Sequence, residues 1–300
     1  MPAAGPGQVG VRVAAAAVNF PDVLLLADTY QVSVPVPFVP GSEFAGVVDE
    51  VGSPDTGLAV GDRVTGVGMV GAFAERVVVD ADDLSPVPAN LDLFTAAASG
   101  VAYHTAYHTL RSAGRLKSGE ELVVLGAGGG VGLAAVQLGV HLGATVTAVA
   151  STPEKLSAAA GYGASRAINH TAGDLRAALR TELPDGSDVV VDPVGGHLSE
   201  PALRSLRRGG RFVTVGFASG IIPRIPLNLV LLKGIQLLGF HFQDVPPDEF
   251  GRHERELTEL LASGRVTAHV GAVYPLDQAA AALRHVGDGR AIGKVLIDLR

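Results

Sequence analysis

From Leu122 to Thr152 the chain contains no Asp, Glu, Lys or Arg, and this uncharged run limits the fold more than any other feature. By length alone it could cross a bilayer as a helix. Five glycines between Gly126 and Gly132, followed by Gly139 and Gly143, argue against one continuous lipid-facing helix. A buried parallel strand, a tight turn, a helix and a second buried strand give the same run, because neither strand needs a polar face.

The flanking pattern favours the second reading. Strand ELVVLG, a helix over 130–142, strand TVTAVA, a helix over 153–160, strand RAIN, a helix over 174–181, strand DVVVD, a helix over 197–207 and strand RFVTVG alternate strictly. Such alternation predicts an α/β, doubly wound parallel sheet. The apolar strand GIQLLGFHF follows, then an amphipathic helix in PPDEFGRHERELTELLASG, strand TAHVGAVY, an Ala-rich helix and a closing strand GKVLIDL. The first hundred residues instead carry strand-like pieces separated by Gly and Pro, which predicts a small, mostly β domain. A chain of 300 residues suits two such domains. The net charge of −7, with no concentrated basic face, argues against a nucleic-acid partner. The chain has no cysteine, which excludes disulfides, thiolate nucleophiles and cysteine-ligated metals. The apolar N-terminus lacks a basic leader and is interrupted by Arg12, so no signal peptide is read and a cytoplasmic protein is expected.

Gly126, Gly129 and Gly132 lie between an apolar strand and an amphipathic helix, with Ala127, Gly130 and Val131 among them. A pyrophosphate-binding turn needs this arrangement. The chain turns sharply, its backbone approaches the phosphates without Cβ interference, and helix N–H groups point at the charge. A cofactor with a free ribose 2′-hydroxyl usually meets a carboxylate at the end of the next strand. Here that stretch is VASTPEK, with Ser151 and Thr152 at the strand tip and Lys155 one turn later; hydroxyls plus a cation suit a 2′-phosphate and predict NADPH. Alternatively, Ser151 caps the following helix and Lys155 is solvated. His104 and His108, in HTAYH, share a helix face, but no glutamate separates them and no third ligand is evident, so no metal is expected.

Over nearly its whole length the sequence resembles the zinc-free quinone oxidoreductase, zeta-crystallin-like branch of the medium-chain dehydrogenase/reductase superfamily. The likeness rests on VNFPDVLL with Tyr30 following, PFVPGSEFAGVV, GDRV, TAYHTL, GAGGGVG, VDPVGG, GRFVTVGFASG and GRAIGKVLI. It implies a GroES-like catalytic domain from residues 1–103 and 239–300, and a Rossmann NADPH-binding domain over 104–238. In zinc-dependent relatives the position of Ser42 is a histidine ligand of the catalytic zinc. The resemblance implies that Asn19 and Tyr30 lie beside the nicotinamide. Tyr30 matches the proton-donating tyrosine of related enoyl-thioester reductases. Leu24 stands where many quinone oxidoreductases have another tyrosine, so a more apolar pocket is expected. Implied cofactor contacts are Thr105, Gly126 to Gly132, Lys155, Gly216, Phe217, Phe242 and Arg290. His170 falls where a tyrosine often packs on the adenosine phosphate, or is simply a surface residue at a strand end. Asp22 and Asp192 recur in the family motifs and are read as structural. Relatives carry a strand or two more before the stretch GPGQVGVRV, so an open sheet edge is expected here.

The activity implied is hydride transfer from NADPH to a quinone or an α,β-unsaturated carbonyl compound, enoyl thioesters included, in a homodimer without membrane or nucleic-acid partners. The alternative is an NADPH-binding, crystallin-like or regulatory protein with little turnover.

Overall fold

The computed structural model describes residues 3–300, in two compact units. One runs to Val101 and resumes at Leu261, and the other is Ala102–Leu260.

The first unit begins with β1 (Gln8–Val18), whose valines at 9, 11 and 13 are buried while Arg12 faces out. The short helix α1 (Phe20–Leu26) follows, with Asn19 extended at its N-cap and Pro21 in its first turn, where a missing N–H costs nothing. Four antiparallel strands come next: β2 (Glu43–Val51), β3 (Arg63–Val67), β4 (Arg76–Asp80) and β5 (Leu84–Pro86). Helix α2 (Leu93–His108) leads into the second unit.

There the alternation is β6 (Glu121–Leu125), α3 (Gly130–His141), β7 (Thr145–Ala150), α4 (Pro153–Gly161), β8 (Arg166–Asn169), α5 (Leu175–Glu182), β9 (Ser187–Asp192), α6 (Ser199–Ser205), β10 (Leu206–Thr214), α7 (Leu227–Lys233) and β11 (Gln236–Gly239). Helix α8 (Pro247–Ala262) closes it. The strands lie parallel in the order β11-β10-β9-β6-β7-β8. Successive strands run outward from β6 on one side and from β9 on the other, so the order reverses beside β6, where ligands of such sheets bind. Leu122 to Leu125 and Val189 to Val191 are fully buried, since helices cover both faces. The uncharged run is thus β6, α3 and β7, and among the described residues no helix is long and apolar enough to cross a membrane. Gly139 lets α3 lie close on the sheet, because a Cβ there would meet a Leu122 methyl at 2.5 Å.

The chain then returns to the first unit with β12 (Val270–Pro275), α9 (Ala279–Gly287) and β13 (Lys294–Asp298). The first sheet reads β12-β13-β1-β2-β3-β5, with β4 also paired to β1. Its core joins Val9, Val11 and Val13 to Phe44, Val64 and Ile297.

Three elements depart from the sequence reading. The helix expected over 197–207 is α6, ending at Ser205, because residues 206–210 extend β10 backwards through a register shift against β9. The strand expected over 234–242 is only β11, and Phe242 begins a 3-10 turn instead. Residues 239–260 belong to the second unit, whereas the sequence reading groups them with the first. Contacts within the second unit hold α8 there: the Tyr107 hydroxyl donates to Glu256 at 2.6 Å, and His108 stacks on Phe250 at 4.7 Å.

Candidate active site

The turn after β6 is shaped around absent side chains. Gly126 has φ +62°, in the left-handed region that favours glycine, and its carbonyl accepts the Gly129 N–H at 3.0 Å. A Cβ on Gly132 would stand 2.0 Å from the Gly126 oxygen, so α3 could not approach the turn with any larger residue there. Gly129 is the extended N-cap of α3, and the Ala127 N–H is tied to Val149 at 3.0 Å. The N–H groups of Gly130, Val131 and Gly132 form the first helical turn, where no carbonyl of the same helix can accept them. This cradle presents oriented donors and the positive end of a twelve-residue helix to an anion.

The C-terminal edge of the same sheet carries the other cofactor candidates of this unit. Ser151 follows β7, and the Lys155 ammonium donates to its hydroxyl at 3.5 Å. Thr152, not Ser151, caps α4, accepting the Lys155 N–H, so the capping alternative for Ser151 does not hold. The Lys155 stem lies over Gly128, where a Cβ would approach it within 2.5 Å, and burial pushes its ammonium below the ordinary value. His170 follows β8, half-buried, 6.2 Å from the His197 ring, and burial followed by His197 pushes it down. Asp192 ends β9 and holds the next turn, accepting from the Val194 and Gly195 N–H groups at 2.8 Å and the Ser199 hydroxyl at 2.6 Å. Gly216 and Phe217 follow β10, where the Val215 N–H reaches the Asp192 carbonyl at 2.8 Å. Phe242, after β11, packs edge-on against Phe240 and His108. Thr105 is buried on α2.

His104 and His108 share a partner that the sequence reading missed. Glu254 on α8 accepts from His104 Nδ1 at 2.9 Å and His108 Nε2 at 3.0 Å. Burial raises this carboxyl, but the two histidine hydrogen bonds outweigh it and hold it at about 2. Two imidazoles at i and i+4 on α2 are the signal that could have prompted a search for a carboxylate.

Asn19 belongs to a buried polar network in the first unit. Strand register explains it: Ala17 pairs with Glu43 and Val18 with Val295, so the ends of β1, β2 and β13 meet. The Lys294 ammonium donates to Asn19 Oδ1 at 2.5 Å and Glu43 Oε2 at 3.1 Å, and Asn19 Nδ2 donates to the same Glu43 oxygen at 2.9 Å. Glu43 Oε1 accepts the Val101 N–H at 2.8 Å. Both side-chain polar atoms of Asn19 are therefore engaged within the chain. Asp22 accepts the Asn19 N–H at 2.7 Å through Oδ2, while its other oxygen is buried without a partner. Burial pushes Asp22 up to about 6, although the Asn19 N–H, the Ser42 hydroxyl and Lys294 oppose it. Tyr30 is partly exposed, and its hydroxyl has no partner among the described residues. Arg290 also lies in this unit, on the surface, paired with Asp288 at 3.2 Å. Sequence reasoning missed Glu43 and Lys294, since neither neighbours Asn19 along the chain.

Residues 5–89 match the alcohol dehydrogenase GroES-like domain family, and residues 130–262 match the zinc-binding dehydrogenase family. The chain is 36% identical to quinone oxidoreductase-like protein 2 of Bos taurus, over 98% of this chain and 86% of that protein. Among solved structures it is similar to a probable oxidoreductase of Mycobacterium abscessus, with 34% identity, a TM-score of 0.88, and coverage of 99% of this chain and 92% of that one. It is also similar to Escherichia coli quinone oxidoreductase complexed with NADPH, with 29% identity, a TM-score of 0.90, and coverage of 99% and 94%. The donor set does not fit the zinc that one family description implies. The chain has no cysteine, and among the described residues no three His, Asp or Glu side chains cluster as metal ligands would.

Proposed function

Because the chain belongs to the zinc-free quinone oxidoreductase branch of the medium-chain dehydrogenase/reductase superfamily, we propose that it is an NADPH-dependent reductase of quinones or α,β-unsaturated carbonyl compounds, enoyl thioesters included. The observation that carries this reading is the cradle after β6, where a Cβ at Gly132 would occupy the space of the Gly126 carbonyl. The turn and the first turn of α3 hold the pyrophosphate. Ser151 and Lys155 take the 2′-phosphate, as a hydroxyl just past the end of β7 and an ammonium that reaches it. His170 packs at the adenosine end, and Thr105, Gly216, Phe217 and Phe242 line the nicotinamide end. When bound, NADPH supplies a hydride to an electron-poor carbon of the acceptor.

The chain's own groups must then handle charge growing on a substrate oxygen. Tyr30 has a free phenol among the described residues, and its O–H is not committed to another side chain, so it serves as general acid. Asn19, held by Glu43 and Lys294, is a positioning residue that fixes the start of α1. Reduction of an activated double bond or a quinone suits such a site better than alcohol oxidation, which asks for a metal or strong base to stabilise an alkoxide.

The protein acts as a homodimer through the β11 edge. Supporting this, β11 ends its sheet, and Leu227, Leu231 and Leu232 beside it are exposed. The test is NADPH oxidation, followed by absorbance, against a benzoquinone, a simple enone and a short enoyl-CoA, with NADH and chelator controls. Turnover of one acceptor, stronger with NADPH and indifferent to chelator, supports the proposal. Cofactor binding without turnover of any acceptor replaces it with the binding-protein alternative.

A further inference from the structure

The N-terminal edge of the parallel sheet, opposite the edge that carries the glycine cradle, holds a second concentration of charge. An open pocket of about 330 Å³ is lined there by Arg115, Lys117, Arg207, Arg208 and Arg211. These residues lie just before β6 and at the start of β10, and Gln236 at the start of β11 completes the rim. The five residues of β6 separate this pocket from Gly126, roughly 15 Å at the rise of a strand.

Two carboxylates face the five cations, and both are committed. Asp188 pairs with Arg207 and accepts the Glu121 N–H at 2.9 Å, and Glu120 pairs with Arg211 at 2.7 Å and accepts the Lys117 N–H at 2.9 Å. The other cations meet neutral groups or none. Arg115 donates to the Gln236 side chain at 2.7 Å, and Arg208 donates to the Leu232 carbonyl at 3.0 Å. The Lys117 ammonium has no acceptor among the described residues. Arg211 Nε is buried without a hydrogen-bond partner among the described residues. Arg115 holds its place with φ +46°, a left-handed backbone unusual for a residue with a Cβ, and its carbonyl accepts from Arg211 at 3.2 Å.

Like charges repel, so an uncompensated group of cations in a concavity, on a chain of net charge −7, asks for a counter-charge from outside. Guanidinium forks match phosphoryl oxygens in geometry as well as sign. We infer that this pocket binds a small phosphate-bearing polyanion, at a site separate from the cofactor cradle. The cations enter from two chain segments, so a ligand with two or more phosphoryl groups engages them better than a single phosphate.

The test is calorimetric titration of the full chain with inorganic pyrophosphate at fixed ionic strength. The wild type is compared with a Lys117→Glu, Arg208→Ala double variant and, as control for the cradle, with Lys155→Ala. Lys117 and Arg208 are exposed and support no other side chain, so the double variant should fold as the wild type does, checked by circular dichroism. Saturable binding is expected, weakened about tenfold or more per cation removed and kept in Lys155→Ala. The inference is overturned by absence of saturable binding, by equal affinity in the double variant, or by loss confined to Lys155→Ala.

Discussion

Asp22→Asn tests the physical account of the buried network at the start of α1. The carboxyl is 1% exposed, has one oxygen without a partner, and is raised from 3.8 to about 6, chiefly by burial. That gap corresponds to a native-state preference of about 3 kcal/mol for the protonated form. The sign follows from linkage. The folded protein holds this proton more tightly than the unfolded chain, so the group's favourable contribution is complete below 3.8 and is lost as pH rises through about 6. At neutral pH the wild type therefore carries a buried carboxylate at a disadvantage. An asparagine side chain keeps an oxygen for the Asn19 N–H and has no proton to lose. Urea unfolding of both proteins between pH 4 and pH 8 gives the stability difference directly, and the other titrating groups cancel in it. The Asp22→Asn variant should match the wild type within about 1 kcal/mol at pH 4 and exceed it by up to about 3 kcal/mol at pH 7.5. A difference that stays flat with pH, or moves the other way, would refute the claim that burial dominates at Asp22.

Three further outcomes follow from the geometry. Alanine in place of a helical glycine usually stabilises by up to about 1 kcal/mol, but Gly132→Ala should lose about 1–3 kcal/mol because its methyl meets the Gly126 carbonyl; a higher melting temperature would contradict the cradle's packing. Tyr30→Phe should lower kcat by about 10- to 1000-fold while NADPH affinity, read by fluorescence titration, holds; unchanged turnover would reassign the proton donor. Lys155→Ala should cut the NADPH over NADH preference in kcat/KM by about tenfold or more, since a charge-assisted contact to the 2′-phosphate is removed; an unaltered ratio would show that Lys155 is not the discriminator.

The second unit was largely legible in the sequence. Strands TVTAVA and RAIN stand where the pattern placed them, and the glycine spacing located the cradle, because strand alternation and tight turns are written in local sequence. Local reading fails where long-range pairing competes with propensity. Residues 206–207 continue a helical pattern, yet they join β10 because β9 offers a partner at Ser187. Helix α1 and helix α7 had no strong local signature, being seven residues each.

The site divides in the same way. Sequence alone determined that a glycine-rich turn follows the first strand of the parallel sheet, that no cysteine serves as ligand or nucleophile, and that Ser151 and Lys155 stand where a carboxylate is often found. Tertiary structure alone decided that Lys294 and Glu43 form a buried pair around Asn19, that Glu254 joins His104 and His108, and that Arg115 and Lys117 share a pocket with Arg207, Arg208 and Arg211. A charged residue in a strand or loop reads as solvated until its partner is known. Here Lys294 and its carboxylate partner Glu43 lie 251 residues apart, brought together by the pairing of β1 with β2 and β13. Backbone periodicity is a local property of the chain, whereas the compensation of a buried charge is a property of what the fold places beside it.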